Sequence, residues 1–234
     1  MNPSFSKRYQ FKILAFLSLS IALLGTILYL RDSVIYEGIL GEMHPLLALQ
    51  FIIPAYFLLF LYLLSYTPLR IYQNKGGKAY GLLAGISLVF GLEVIAADLW
   101  WAEYPLDLNV AAPDSFLYYP VMGFMAEAVF HLLPLTFFIF ILSNMTSWPM
   151  NRVLWVSIAL TALAEPFFQI LAGPESDFTT QVYTGIHVFL FSLVQLWVFK
   201  KYDFVSMYLV RLLFYAIWHI GWGELRIEIL VPGS

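Results

Sequence analysis

Glu127 and His131 stand four residues apart in "AEAVFHLLP", a spacing that puts a carboxylate and an imidazole on one helical face. Such a pair can ligate a metal, or the carboxylate can orient the imidazole for acid–base work. It can also do no more than neutralise two buried polar groups by an intrahelical hydrogen bond. A second segment, "AEPFFQIL", carries Glu165, Pro166 and Gln169 in a loosely similar order. Pro166 lacks a backbone N–H and predicts a kink beside Glu165.

A third segment, "RLLFYAIWHIGWGELR", places Arg211, Tyr215, His219 and Trp222 on one helical stripe. In a membrane that stripe must face protein or water, because lipid would leave Arg211 and His219 unsatisfied. Arg211 either snorkels to the nearer surface or pairs with a buried acid. Glu93, Asp98 and His187 complete the set of ionisable groups in apolar surroundings.

The chemistry open to these residues falls into three groups. Glu127, His131 and Glu165 are the candidate catalytic residues, with a glutamate activating water and a histidine as acid–base partner. His187, His219 and Glu93 are the candidate metal ligands, a donor set suited to a divalent ion such as zinc. Two histidines at one depth could also hold a haem axially. Asp98, Arg211 and Tyr215 are candidate ligand-binding residues.

The elements that must position them are read from composition first. The chain of 234 residues is 61% hydrophobic, 18% aromatic and 12% charged, with a mean hydropathy of +0.80. Soluble domains carry about 25% charged residues, so the chain belongs with integral membrane proteins. The net charge of −3 and the lack of a Lys/Arg run argue against nucleic-acid binding. There are no cysteines, which removes disulfides, Cys-ligated zinc, iron–sulfur clusters and thiol nucleophiles. Membrane lipids are the one partner that the composition implies.

A membrane helix needs about 20 mostly apolar residues, and the sequence predicts seven, over 12–30, 45–66, 80–100, 117–143, 152–172, 181–200 and 205–224. The expected fold is therefore all-α: one polytopic transmembrane bundle spanning residues 1–234. The first apolar run is too long for a signal peptide and reads as a retained helix. The terminal "LVPGS" resembles a thrombin-site linker without its arginine and reads as a cloning remnant over 230–234.

Of the 12 Lys and Arg residues, Lys7, Arg8, Lys12, Arg70, Lys75, Lys78, Arg152, Lys200 and Lys201 fall on one side, while only Arg31 and Arg226 fall on the other. Asp32, Glu37, Glu42, Glu103, Asp107, Asp114, Glu175, Asp177, Glu224 and Glu228 run the opposite way. The positive-inside rule then puts the N-terminus in the cytoplasm and the C-terminus outside, in the cell membrane. This orientation and the absence of a deep lysine argue against a G-protein-coupled receptor and a retinal protein. It also places Glu93, Glu127, His131, Glu165, His187 and His219 in the outer half of the bilayer, which suggests a polar cavity open to the outside.

The spacing resembles that of the CAAX-protease and bacteriocin-processing family of intramembrane proteases. That family has Glu-Glu-x-x-x-Arg, Phe-x-x-x-His and His-x-x-x-Asn motifs on successive late helices. Glu127 matches the second glutamate and His219 the last histidine, while Ala126, His131, Gln169 and Gly223 depart from the pattern. The departures remove the family's water-activating glutamate, and no family is assigned on these two residues. Two function classes stand: a metal-assisted intramembrane hydrolase or related lipid-handling enzyme, and a transporter or sensor that binds an ion, proton or small polar ligand.

Overall fold

The computed structural model describes residues 6–31, 35, 44–105, 108–172 and 176–230. Asp32, Glu37, Glu42, Asp107, Glu175 and residues 231–234 lie outside them. Among the described residues the chain is helical with no strand. Seven helices are long and apolar enough to cross a membrane: α1 Lys7–Arg31, α2 Leu46–Tyr66, α3 Gly77–Trp100, α4 Ser115–Met145, α5 Met150–Leu171, α6 Phe178–Lys201 and α7 Phe204–Arg226. The protein is an integral membrane protein by this architecture.

Lipid-facing surface is apolar, as a span requires: Phe16, Leu30, Leu58 and Leu171 are among its exposed residues. The interior is filled by large rings where α2, α4, α6 and α7 meet. Tyr56 stacks on Phe124 at 4.1 Å, and Phe204 meets Phe60 edge-on at 5.1 Å. Tyr56 also donates its hydroxyl to the Phe124 carbonyl at 2.6 Å. A hydroxyl buried in hydrocarbon needs such a partner.

One end of the bundle is tied by two polar residues. Gln10 accepts from the Ile71 and Tyr72 amides and donates back to the Tyr72 carbonyl, which anchors the α2–α3 connection on α1. Asp203 caps α7 through the Ser206 amide at 2.6 Å and pairs with Lys75 at 2.5 Å. Both ties join loops that the charge pattern assigns to the same side of the membrane.

Three helices are irregular, and each irregularity has a local cause. In α4, Pro134 cannot donate to the Phe130 carbonyl, and a wide π-helical stretch over Glu127–Leu132 absorbs the mismatch immediately before it. In α7 the π-helical stretch is Ala216–Trp222. A Cβ on Gly221 would sit 3.1 Å from the Ala216 carbonyl oxygen, so glycine allows the close approach that this wide turn makes. In α5, Pro166 leaves Ala162 without its helical donor, and the helix breaks at Ala162–Leu163 before resuming at Ala164. The disturbance predicted beside Glu165 takes the form of this break.

Candidate functional site

The three irregular helices converge on one buried group of polar side chains. Glu127 and His131 both lie in the π-helical stretch of α4, Glu165 begins the second segment of α5, Ser192 and Gln195 come from α6, and Arg211 and Tyr215 from α7. Wide turns are frequent at functional sites, because they move a side chain off the regular helical register.

Arg211 is the hub. Its guanidinium donates to Glu165 from both terminal nitrogens, at 2.9 and 2.8 Å, and its Nε donates to Glu127 at 2.7 Å. It also donates to the Gln195 amide oxygen and the Tyr215 hydroxyl, each at 3.2 Å. The Gln195 amide in turn donates to Glu127 at 2.8 Å, and Ser192 donates to Glu165 at 3.2 Å. Arg211 therefore does not snorkel. It is 2% exposed, and it meets two acids at once.

His131 completes the group. Its Nδ1 lies 2.5 Å from Glu127 Oε2. A carboxylate only accepts, so Nδ1 carries the hydrogen of this contact. The imidazole Nε2 is buried with no hydrogen-bond partner, 3.8 Å from Glu165 Oε2. Polar atoms in a dry interior are normally paired, so an orphaned imidazole nitrogen beside a carboxylate is the unusual feature of the site.

Formal charge points the same way. Two carboxylates and one guanidinium leave one negative charge among groups that are almost wholly out of water. His131 is the neighbouring group that faces this charge, with Nδ1 on Glu127 and Nε2 toward Glu165.

The candidate metal ligands are not gathered. Among the described residues, no three His, Asp or Glu side chains are placed to hold a metal ion. Glu165 and Glu127 do face a common cation, but that cation is the guanidinium of Arg211. Glu93 and His187 form their own pair at 2.5 Å across α3 and α6, with Glu93 half-exposed. His219 belongs to a different environment. It stacks on Tyr119 at 4.7 Å, and its Nδ1 lies 3.4 Å from the Asn109 amide nitrogen. Phe214 touches both imidazoles, at 5.9 Å from His187 and 6.3 Å from His219. The two histidines face different neighbours, and neither a zinc set nor a haem pair is assembled from them among the described residues.

Asp98 also has a structural partner set. It accepts from Trp222 Nε1 at 2.7 Å and pairs with Arg226 at 3.1 Å. Arg226 continues to the Pro105 and Tyr104 carbonyls at 2.8 and 2.6 Å, fastening the α3–α4 connection onto α7. Burial there pushes the Tyr104 phenol up to about 12, so it stays neutral. Glu127 and His131 do not line a polar cavity open to one side: both are fully buried, and Glu127 is taken up by His131, Arg211 and Gln195.

No family model, no curated protein and no solved structure matches this chain. The two positions shared with the CAAX-type motifs are also not joined directly, since Glu127 binds Arg211 and His131 while His219 meets Asn109. Two further residues complete the site, Ser192 and Gln195, which spacing and charge do not single out. Their signal was a serine and a glutamine three residues apart inside an apolar span, one turn of one face.

Proposed function

We propose that the Glu127–His131–Glu165–Arg211 cluster is the working centre of an intramembrane enzyme that activates water for hydrolysis of a membrane-embedded substrate. The observation that carries this reading is the orphaned Nε2 of His131 set 3.8 Å from Glu165; His187 Nε2 is also unpartnered, but His187 pairs with Glu93 alone among the described residues. Glu127 fixes the imidazole tautomer and orientation, as the carboxylate does in a catalytic triad. A water beside Nε2 and Glu165 would give its proton to the imidazole and become the nucleophile. Arg211 holds both carboxylates in place. No metal enters this scheme, because the guanidinium fills the position between the carboxylates that a metal would take.

A second reading rests on a separate observation, the break in α5 that places Glu165 at the start of a helical segment. Broken helices carry the ion sites of many transporters, and a buried cluster of two carboxylates, an imidazole and a guanidinium also suits proton-coupled transport. The basic residues support a cytoplasmic N-terminus and an external C-terminus in the cell membrane under either reading.

The experiment uses purified protein in nanodiscs with two probes, a fluorogenic long-chain acyl ester and a quenched transmembrane peptide. Hydrolysis of either probe is expected, with loss in His131→Ala and Glu127→Gln and no effect of a chelator. Absence of hydrolysis of both, together with proton flux in pH-jumped proteoliposomes, would replace this reading with the second.

A further inference from the structure

Three tryptophans at one end of the bundle each carry a cation on the ring face. The Arg152 guanidinium lies 4.1 Å from the Trp148 ring, Lys200 Nζ 4.6 Å from Trp155, and Lys201 Nζ 4.6 Å from Trp197. The Lys200–Trp155 contact bridges α6 to α5. None of these cations is in an ion pair among the described residues, and the nearby Asp203 is held by Lys75. Tryptophans and cations in this arrangement mark the headgroup level of a bilayer, where anionic lipid adds attraction.

The same seam continues into the membrane. On α5, Arg152, Trp155, Ala159, Leu163 and Pro166 follow one helical stripe; on α6, Lys200, Trp197, Leu193, Phe189 and Ile186 follow another. Both stripes lead to an apolar groove of about 200 Å³ between the helices, lined by Leu163, Pro166, Ile170, Gly185, Ile186 and Phe189. Gly185 keeps it open, since a Cβ there would meet Ile170 Cδ1 at 3.1 Å. About eleven residues separate the cations from the groove mouth on each helix. That is a rise of about 16 Å, close to half the hydrocarbon thickness of about 30 Å. The groove opens where the chain of a lipid with its phosphate at Arg152 and Lys200 would end.

We propose that the α5–α6 seam is a binding site for an anionic phospholipid. Its phosphate sits between Arg152 and Lys200, its backbone lies over Trp155 and Trp197, and one acyl chain runs along the stripe so that its tip enters the groove. Charge complementarity selects the headgroup and the groove selects a full-length chain. The site lies outside the Glu127–His131 cluster and does not depend on the hydrolytic reading.

Native mass spectrometry of the full chain in neutral detergent tests it, with phosphatidylglycerol and phosphatidylcholine of identical chains as probes. Retained phosphatidylglycerol is expected, bound more tightly than phosphatidylcholine. The Arg152→Gln/Lys200→Gln double variant should weaken it about thirtyfold, given the attraction of each basic residue at the surface. Gly185→Leu should weaken the full-length lipid but leave binding of a dihexanoyl phosphatidylglycerol unchanged. Thermal unfolding in phosphatidylcholine alone confirms that the variants are folded. Equal retention of the two lipids, or undiminished phosphatidylglycerol on the double variant, overturns the proposal. Equal competition by glycerol phosphate also overturns it, because a free phosphate would then suffice.

Discussion

Arg211 on α7 donates to Glu165 on α5 through both terminal nitrogens, at 2.9 and 2.8 Å, while its Nε reaches Glu127 on α4 at 2.7 Å. One guanidinium thus ties three helices through charged hydrogen bonds in the interior of the bundle. Planar fork geometry suits a carboxylate in a way that an ammonium cannot match.

Removing that guanidinium should therefore leave two buried carboxylates without their cation. Arg211→Met is expected to cost about 3–5 kcal/mol, read as unfolding in a bilayer mimetic. Arg211→Lys should recover part of the loss, since one ammonium cannot satisfy both Glu165 oxygens and Glu127. Equal stability of Arg211→Met and the parent would contradict this account of the hub.

Arg226 offers a contrast, because its partners are structural. It is 3% exposed, pairs with Asp98 and holds the Tyr104 and Pro105 carbonyls. Arg226→Ala should destabilise by about 3 kcal/mol and speed proteolysis after Trp101, with hydrolysis by the surviving folded fraction retained. Protection of the 102–105 segment at the parent level would show that the tie is idle.

Close packing between α3 and α7 rests on Gly91. An added Cβ would stand 2.6 Å from Ile217 Cγ2, inside the wide turn that follows Tyr215. Gly91→Val should displace α7 and cost about 1–3 kcal/mol as an overpacked contact. Thermal unfolding reads the loss, and a neutral result would mean that Ile217 moves freely.

Acid sensitivity should appear at the start of α6. Asp177 caps that helix by accepting from the Thr179 and Thr180 amides and the Thr180 hydroxyl. These bonds, the Thr180 hydroxyl first, hold its carboxyl below the ordinary aspartate range. A lowered folded value means that the cap stabilises fully above the unfolded value of about 3.9 and is lost as pH falls through the folded one. Hydrogen exchange of the Thr179 and Thr180 amides should be faster in Asp177→Ala near neutrality and converge with the parent in strong acid. A difference that persists below the folded value would refute the cap.

The seven spans and the Glu127–His131 pair were legible because both follow from local spacing and hydropathy. The predicted 117–143 and 205–224 spans, for instance, correspond to Ser115–Met145 and Phe204–Arg226. Direction around each helix was not legible. Phe214 contacts both His187 and His219, yet each has its own partner set. Arg211 was open between the surface and a buried acid, since its partners Glu127 and Glu165 are 84 and 46 residues away. The π-helical turns were not legible at all. They arise where Pro134 and Gly221 let the backbone leave the regular ladder, and they re-aim Glu127, His131 and His219 in ways that a 3.6-residue wheel does not show.

Single-histidine variants assayed side by side for probe hydrolysis in nanodiscs test the central claim most directly. His131→Ala should lose about a hundredfold or more, the contribution of a positioned general base, while His187→Ala and His219→Ala keep most of the parent rate in folded protein. Full turnover by His131→Ala, or a comparable loss in His187→Ala alone, would contradict the assignment of His131 as the base.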